Sequence, residues 1–220
     1  MPSWNIHLAT ASQLLSQNIT KTIDVDAFLI GNILPDILNG LSIKNPSIII
    51  PHQKTHYYHN KNEDVNLPNM KHFIKKYPKF YQNDVLLGYF THLLTDYLYN
   101  SYFINHFQEN EHYTNENKQH DFIKFGNEEM IEHILIPKYN DDILIQCQKI
   151  LPVDKNDILQ AIIFLKEKRD IQQDEYILFS KDELYYLFYQ NTFLISAVVK
   201  YYIKKRGEKW WIIFQNIQAM

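Results

Sequence analysis

The sequence predicts an all-α fold, a bundle of many helices, and three observations carry that expectation. Apolar residues recur at i, i+3 and i+4 in segment after segment. Glycine is scarce, with five in the chain, and of the eight prolines all but Pro35 fall outside the apolar segments or at their ends. Helix-start and helix-stop signals bracket several segments, the clearest being Ser180-Lys181-Asp182-Glu183 and Lys204-Lys205-Arg206-Gly207. Only the stretches 47–50 and 176–179 leave room for minor strands.

Taken in order, Ser3 is a candidate N-cap for a first helix whose face holds Trp4, Ile6, His7, Leu8, Ala11, Leu14 and Leu15. Asp24 or Asp26 caps a short second helix through Phe28, Leu29 and Ile30, with Gly31 as its expected end. Residues 32–69, interrupted by Pro46, Pro51 and Pro68, predict a long connection. Connections of that length inside a compact domain tend to carry function. A short helix over 69–77 stops before Pro78, and Asp84 opens a strong one over 85–103, with Leu86, Leu87, Phe90, Leu93, Leu94, Tyr97 and Leu98 on its apolar side. The polar segment 108–119 predicts a surface loop, followed by helices over 120–136, 141–150 and 154–169 that end near Pro137, Pro152 and Arg169. The last long helix starts at the Ser180 capping box and ends on cations with Gly207 as its C′ residue. Residues 210–214, Trp210-Trp211-Ile212-Ile213-Phe214, form an apolar tail expected to dock on the body. A single domain over 1–220 is expected, with the chemistry-bearing motifs in 1–136 and helices of 137–220 completing the core.

Composition narrows the function classes. At 220 residues, 45% hydrophobic and 15% aromatic, the chain can bury a real core. A net charge of −3 offers no broad attraction for nucleic acid or an anionic membrane. The single cysteine, Cys147, cannot form an internal disulfide, sits in an apolar stretch, and suits a reducing compartment. No signal peptide is visible, and the longest apolar run, near 193–199, falls short of the ~20 residues needed to span a bilayer. A cytoplasmic protein is the expectation.

The chemistry lies in histidines and aspartates. All of the ten histidines except His7 fall from His52 to His133. In Gly88-Tyr89-Phe90-Thr91-His92-Leu93-Leu94-Thr95-Asp96, His92 and Asp96 are one helical turn apart and leave the same face. Such a pair can hold a divalent cation, and it is also the pattern of a helical ion pair. Leu93, Leu94, Tyr97 and Leu98 flank it with apolar residues, where an unpaired carboxylate would be costly. Asp36, inside Ile33-Leu34-Pro35-Asp36-Ile37-Leu38, is either a helix N-cap or a ligand. His7 on its apolar helix is either a core histidine or a ligand, and local sequence does not choose among His52, His56 and His59.

Together these segments resemble the zinc-dependent phospholipase C family. The resemblance rests on Met1-Pro2-Ser3-Trp4-Asn5-Ile6-His7, Phe28-Leu29-Ile30-Gly31-Asn32-Ile33-Leu34-Pro35-Asp36, Thr55-His56-Tyr57 and the Gly88 to Asp96 segment, in that order. It covers about the first 100 residues well and continues to about residue 136. It implies an all-helical bundle with a metal site between helices, Zn²⁺ as cofactor (one or two ions, with Mn²⁺ or Fe as variants), and hydrolysis of a small phosphodiester or lipid headgroup through metal-bound water. Asp36, His56, His92 and Asp96 would surround one metal, with Asp36 also a possible base. His7 would bind a neighbouring ion and Asp96 could bridge the two. Secreted members ligate metal through a mature N-terminal Trp, whereas Trp4 is internal here. The family's later HxxxE pair is also missing, since Lys124 follows His120 by four residues. Among His106, His112 and His120, the expected further ligands are His120 and Asp121.

Two other readings fit parts of the sequence. His120-Asp121 is an HD dipeptide, and with His92 or His106 and Asp141 or Asp142 it imitates the order of an HD-type phosphohydrolase. That reading leaves His7, Asp36 and His56 unused. A non-catalytic helical binding module with a structural metal is the third.

Overall fold

The computed structural model describes residues 2–17, 23–40, 43, 45–58, 67–107, 114–167 and 174–207. Among them the regular structure is helical, with α1 (Trp4–Ser16), α2 (Val25–Ile37), α3 (His52–Thr55), α4 (Met70–Lys76), α5 (Asp84–Phe107), α6 (Asn115–Phe125), α7 (Asp141–Gln148), α8 (Lys155–Lys166) and α9 (Lys181–Lys204). The stretches 47–50 and 176–179 form no strand.

Local signals set most helix starts. Asp24 caps α2 by accepting from the Ala27 N–H, and Asn69, Thr114 and Asn140 cap α4, α6 and α7 in the same way. Asp154 and Ser180 make full capping boxes with Asp157 and Glu183. Ser3, the expected cap of α1, makes no side-chain capping bond. The 3₁₀ turn Lys205–Gly207 follows α9, so Gly207 ends a tightened last turn. Residues 210–214 lie outside the described residues.

α2 departs most from expectation. It does not stop at Gly31 but runs six residues further, through Pro35, to Ile37. The reason is tertiary. A Cβ on Gly31 would stand 2.1 Å from the Val85 carbonyl oxygen, and one on Gly88 would stand 2.0 Å from the Phe28 carbonyl oxygen. The two glycines therefore let α2 and α5 cross backbone to backbone, and Gly31 is a packing residue rather than a helix stop. Asn32 Nδ2 donates to the Gly88 carbonyl at 3.4 Å across this crossing.

Around the crossing the apolar residues divide into two clusters. One gathers Leu8, Phe28, Ile33, Phe73, Phe90, Leu93, Ile158 and Val199 from α1, α2, α4, α5, α8 and α9. The other gathers Ile6, Tyr99, Phe103, Phe122, Phe125, Phe179 and Phe188 from α1, α5, α6, the segment before α9 and α9 itself. On α5 the last fully buried residue of the first cluster is Leu93 and the first of the second is Tyr99, and His92 and Asp96 lie buried close to where one gives way to the other.

Candidate metal centre

The α2–α5 crossing fixes the registration of the site. Gly88, His92 and Asp96 follow one another at four-residue steps, a single stripe along α5, and Asn32 and Asp36 do the same on α2. With Gly88 pressed on α2, the next turns bring His92 against Asn32 and Asp96 towards Asp36. His7 enters from α1, while His52 and His56 come from α3 and its C-terminal cap. Tyr57, directly after His56, adopts a left-handed φ of 58°, a strained conformation for an aromatic residue. Its ring stacks on His72, and Tyr89 Oη anchors the preceding turn by donating to the Thr55 carbonyl at 2.6 Å.

These side chains converge closely. Asp96 Oδ1 is 3.3 Å from His7 Nε2, and Asp96 Oδ2 is 3.0 Å from His56 Nε2 and 3.5 Å from His92 Nε2. Asp36 Oδ1 lies 3.5 Å from His52 Nε2 and 3.7 Å from His56 Nε2, and its Oδ2 lies 3.7 Å from His92 Nε2. His7 stacks on His92 with ring centroids 3.9 Å apart, and His52 stacks on His56 at 3.4 Å. All are buried except His52, whose side chain is 19% exposed. Three donor groups result, each able to hold an ion: His7, Asp36 and His92; Asp36, His52 and His56; His56, His92 and Asp96.

Hydrogen-bond chemistry shows that the cluster suits a cation. His92 Nδ1 donates to the Asn32 carbonyl at 2.7 Å, and because a carbonyl only accepts, the neutral ring keeps its lone pair on Nε2. His56 Nδ1 lies 3.1 Å from the His52 carbonyl and 2.9 Å from Thr55 Oγ1. The Thr55 hydroxyl also donates to that carbonyl, so His56 likewise turns a bare Nε2 inward. The two Nε2 atoms face each other at 2.9 Å. Two lone pairs cannot hydrogen-bond each other, and a shared cation is the natural occupant of such a gap. His7 Nε2, His52 Nε2 and both Asp96 oxygens likewise form no hydrogen bond, although each is buried. Donors that meet at a point without satisfying one another are the arrangement a metal completes.

Electrostatics agree. Asp36 and Asp96 are paired only with histidines among the described residues, so two buried carboxylates have no lysine or arginine partner, and a divalent ion would neutralise both. Burial alone would raise the Asp96 carboxyl, but the field of His92 and the contacts with His56 and His7 hold it well below the ordinary range. Asp36 is lowered too, as His92, His56 and His52 outweigh its burial. Burial, with His92 beside it, pushes His7 down to about 4, and burial with His56 pushes His52 down to about 3, so both are neutral and available as ligands. His92 is raised, because Asp36 and Asp96 overcome its burial; without an ion they stabilise a proton on Nε2, the position a bound cation would take. Trp4 Nε1 donates to Asp36 Oδ2 at 3.3 Å and Asn39 Nδ2 to Oδ1 at 3.1 Å, which orients that carboxylate.

A profile of the zinc dependent phospholipase C family matches residues 6–170. That span is three quarters of the chain and contains every residue of the cluster. The chain belongs to the zinc dependent phospholipase C family. No curated protein and no solved structure matches it. An all-helical fold and a His/Asp cluster fit for metal are what a zinc dependent phospholipase C family member requires, and α9 lies beyond the matched span.

Of the residues expected at the site in this phospholipase C family member, five converge: His7, Asp36, His56, His92 and Asp96. Asp36 is not an N-cap, because α2 continues past it to Ile37. His52 joins the cluster along with His56, where the sequence left the choice open. The usable signal was their four-residue spacing directly after Pro51, which puts both rings on one side of a single turn. His120 and Asp121 stand outside all three donor groups. The Asp121 carboxylate instead accepts from the Ile177, Leu178 and Phe179 backbone N–H groups at 2.9, 2.7 and 3.1 Å, and from His120 Nδ1 at 3.0 Å. Its oxygens are thereby committed to tying the strap before α9 onto α6, which also removes the basis of the HD-type reading. His106 bonds the Tyr102 carbonyl of its own helix, and His59 and His112 lie outside the described residues. Asp121→Ala is expected to cost about 2–4 kcal/mol by stranding buried N–H groups, while bound metal per chain stays unchanged. Urea unfolding and elemental analysis measure the two, and loss of metal with unaltered stability would return Asp121 to the ligand set.

Proposed function

We propose that this chain is a metal-dependent hydrolase of a phosphodiester or phospholipid-like substrate, with His7, Asp36, His52, His56, His92 and Asp96 holding one or two zinc ions. The observation that carries the reading is the convergence of inward-facing histidine Nε2 atoms on two carboxylates that, among the described residues, pair with no lysine or arginine. When bound, such an ion supplies Lewis-acid chemistry, polarising a phosphoryl oxygen and acidifying water. The chain's own residues prepare for this. Asn32 and His52 carbonyls hold the ring tautomers, and Trp4 and Asn39 hold Asp36 in plane. Asp96 turns Oδ1 to His7 and Oδ2 to His56 and His92, and would hold an ion together with these histidines. Asp36, kept below the ordinary carboxylate range, serves as a ligand rather than as a general base.

The test is hydrolysis of bis-p-nitrophenyl phosphate by the purified chain with added Zn²⁺ or Mn²⁺. Turnover is expected to vanish with EDTA, return with the metal, and fall more than about a hundred-fold in His92→Ala, beyond what removing a ligand's supporting partner costs. A stoichiometrically bound ion without turnover would replace this reading with a non-catalytic helical module.

A further inference from the structure

Five of the six donor side chains in the centre are sealed from solvent. His7, His56, His92 and Asp96 are 0% exposed and Asp36 is 2% exposed, whereas the His52 side chain is 19% exposed. A molecule that approaches the donors from outside therefore meets the His52 ring first. Its Nε2 lies 3.5 Å from Asp36 Oδ1, and the ring stacks on His56 with centroids 3.4 Å apart. His52 thus covers the inner donors as well as joining them.

Its ring is also held differently from its neighbours. His92 and His56 each place Nδ1 on a carbonyl, which fixes the ring plane. Among the described residues neither nitrogen of the His52 ring makes a hydrogen bond. The Asp36 carboxylate, the stack on His56 and a tilted contact with Tyr58, centroids 5.2 Å apart, keep it in place. The backbone, by contrast, is fixed. The His52 carbonyl accepts from the His56 N–H at 2.9 Å, and from Thr55 Oγ1 and His56 Nδ1 at 3.1 Å each. The side chain can therefore turn towards solvent while its carbonyl goes on holding His56. A hydrolytic ion needs a coordination position that substrate can reach. The donor standing at the solvent side of this cluster is the one that can leave it.

We propose that His52 is the yielding ligand of the centre. In the resting chain its Nε2 closes the site with Asp36 and His56, and its ring turns out to solvent when a phosphate-type anion enters. This rests on the phosphodiester reading above, which supplies the anion.

Cobalt in place of zinc makes the ligands visible, because ring protons of a coordinated histidine are displaced far outside the ordinary proton NMR range. In the cobalt-loaded full chain, freed of excess metal, the His52 signals are identified by their loss in His52→Ala, or in His52→Gln should the alanine variant not fold. Saturating inorganic phosphate is expected to return the His52 signals, and those of no other histidine, to the ordinary range. Signals that stay displaced in the phosphate complex overturn the proposal, and so does their absence before phosphate is added. Affinity gives a second reading. The variant is expected to keep zinc with about a ten-fold loss, the low end of what a supporting partner costs. It should bind phosphate about ten-fold more tightly, since the wild-type chain binds only through the fraction with the ring turned out. Equal or weaker phosphate binding overturns the proposal, as a purely structural histidine would give no gain. Hydrolysis of bis-p-nitrophenyl phosphate in parallel separates the two claims. Turnover with His52 still coordinated in the phosphate complex sinks only this one. Release of His52 without turnover sinks only the hydrolase, and neither release nor turnover sinks both.

Discussion

Asp96→Ala is expected to leave the protein without its ion. Asp96 meets His7 through one oxygen and His56 and His92 through the other, so its removal opens the centre of the cluster rather than its edge. Zinc affinity should fall by more than about a hundred-fold, since loss of a mere supporting partner already costs 10- to 100-fold. Elemental analysis after dialysis reads this directly, and competition with a chromogenic chelator gives the factor. Asp96→Asn keeps the shape and removes the charge, and should fall between the two. The melting temperature should drop along with the metal, because an ion present at about a thousand times its Kd contributes about 4 kcal/mol to the folded state. Full zinc retention in Asp96→Ala would remove it from the site.

Gly88→Ala is expected to be the most damaging single methyl in the chain. Its Cβ would lie 2.0 Å from the Phe28 carbonyl oxygen and 2.7 Å from the Asn32 nitrogen, both backbone atoms that cannot rotate aside. The helices must part, and about 3–5 kcal/mol is a reasonable loss for forced separation of a buried crossing. Since the crossing holds His92 Nδ1 on the Asn32 carbonyl, the surviving folded protein should also bind metal more weakly. Gly40→Ala is the control for backbone strain alone. Gly40 has a positive φ of 78° but its would-be Cβ meets only ordinary van der Waals contact with the Ile49 side chain, so it should destabilise without touching the metal. Chemical unfolding beside metal titration checks both, and a Gly88→Ala protein of wild-type stability would mean that α2 and α5 do not cross here.

What the sequence made legible was what local physics decides. The capping boxes at Asp154 and Ser180, the periodicity of α5 and the four-residue step from His92 to Asp96 all depend on neighbours in the chain. The errors arose where a distant segment decides. Gly31 carries a stop signal locally, and only the backbone of Val85 shows why a helix runs through it. His120-Asp121 has the residue types of a ligand pair, and nothing in the dipeptide tells that the N–H groups of 177–179 return to occupy the carboxylate. His52 and His56 could not be told apart because both turn inward.

α3 has a consequence for timing. Two of the six donors ride on one helical turn of four residues, far below the length at which a helix holds itself, and it is pinned by Tyr89 and by the ring stacks it shares. The other four donors stand on α1, α2 and α5, inside the glycine crossing. Segments of such unequal stability open separately, the weaker one many times for each excursion of the whole. An ion held there would therefore be expected to exchange by this one turn lifting His52 and His56 away, with the rest of the bundle still folded.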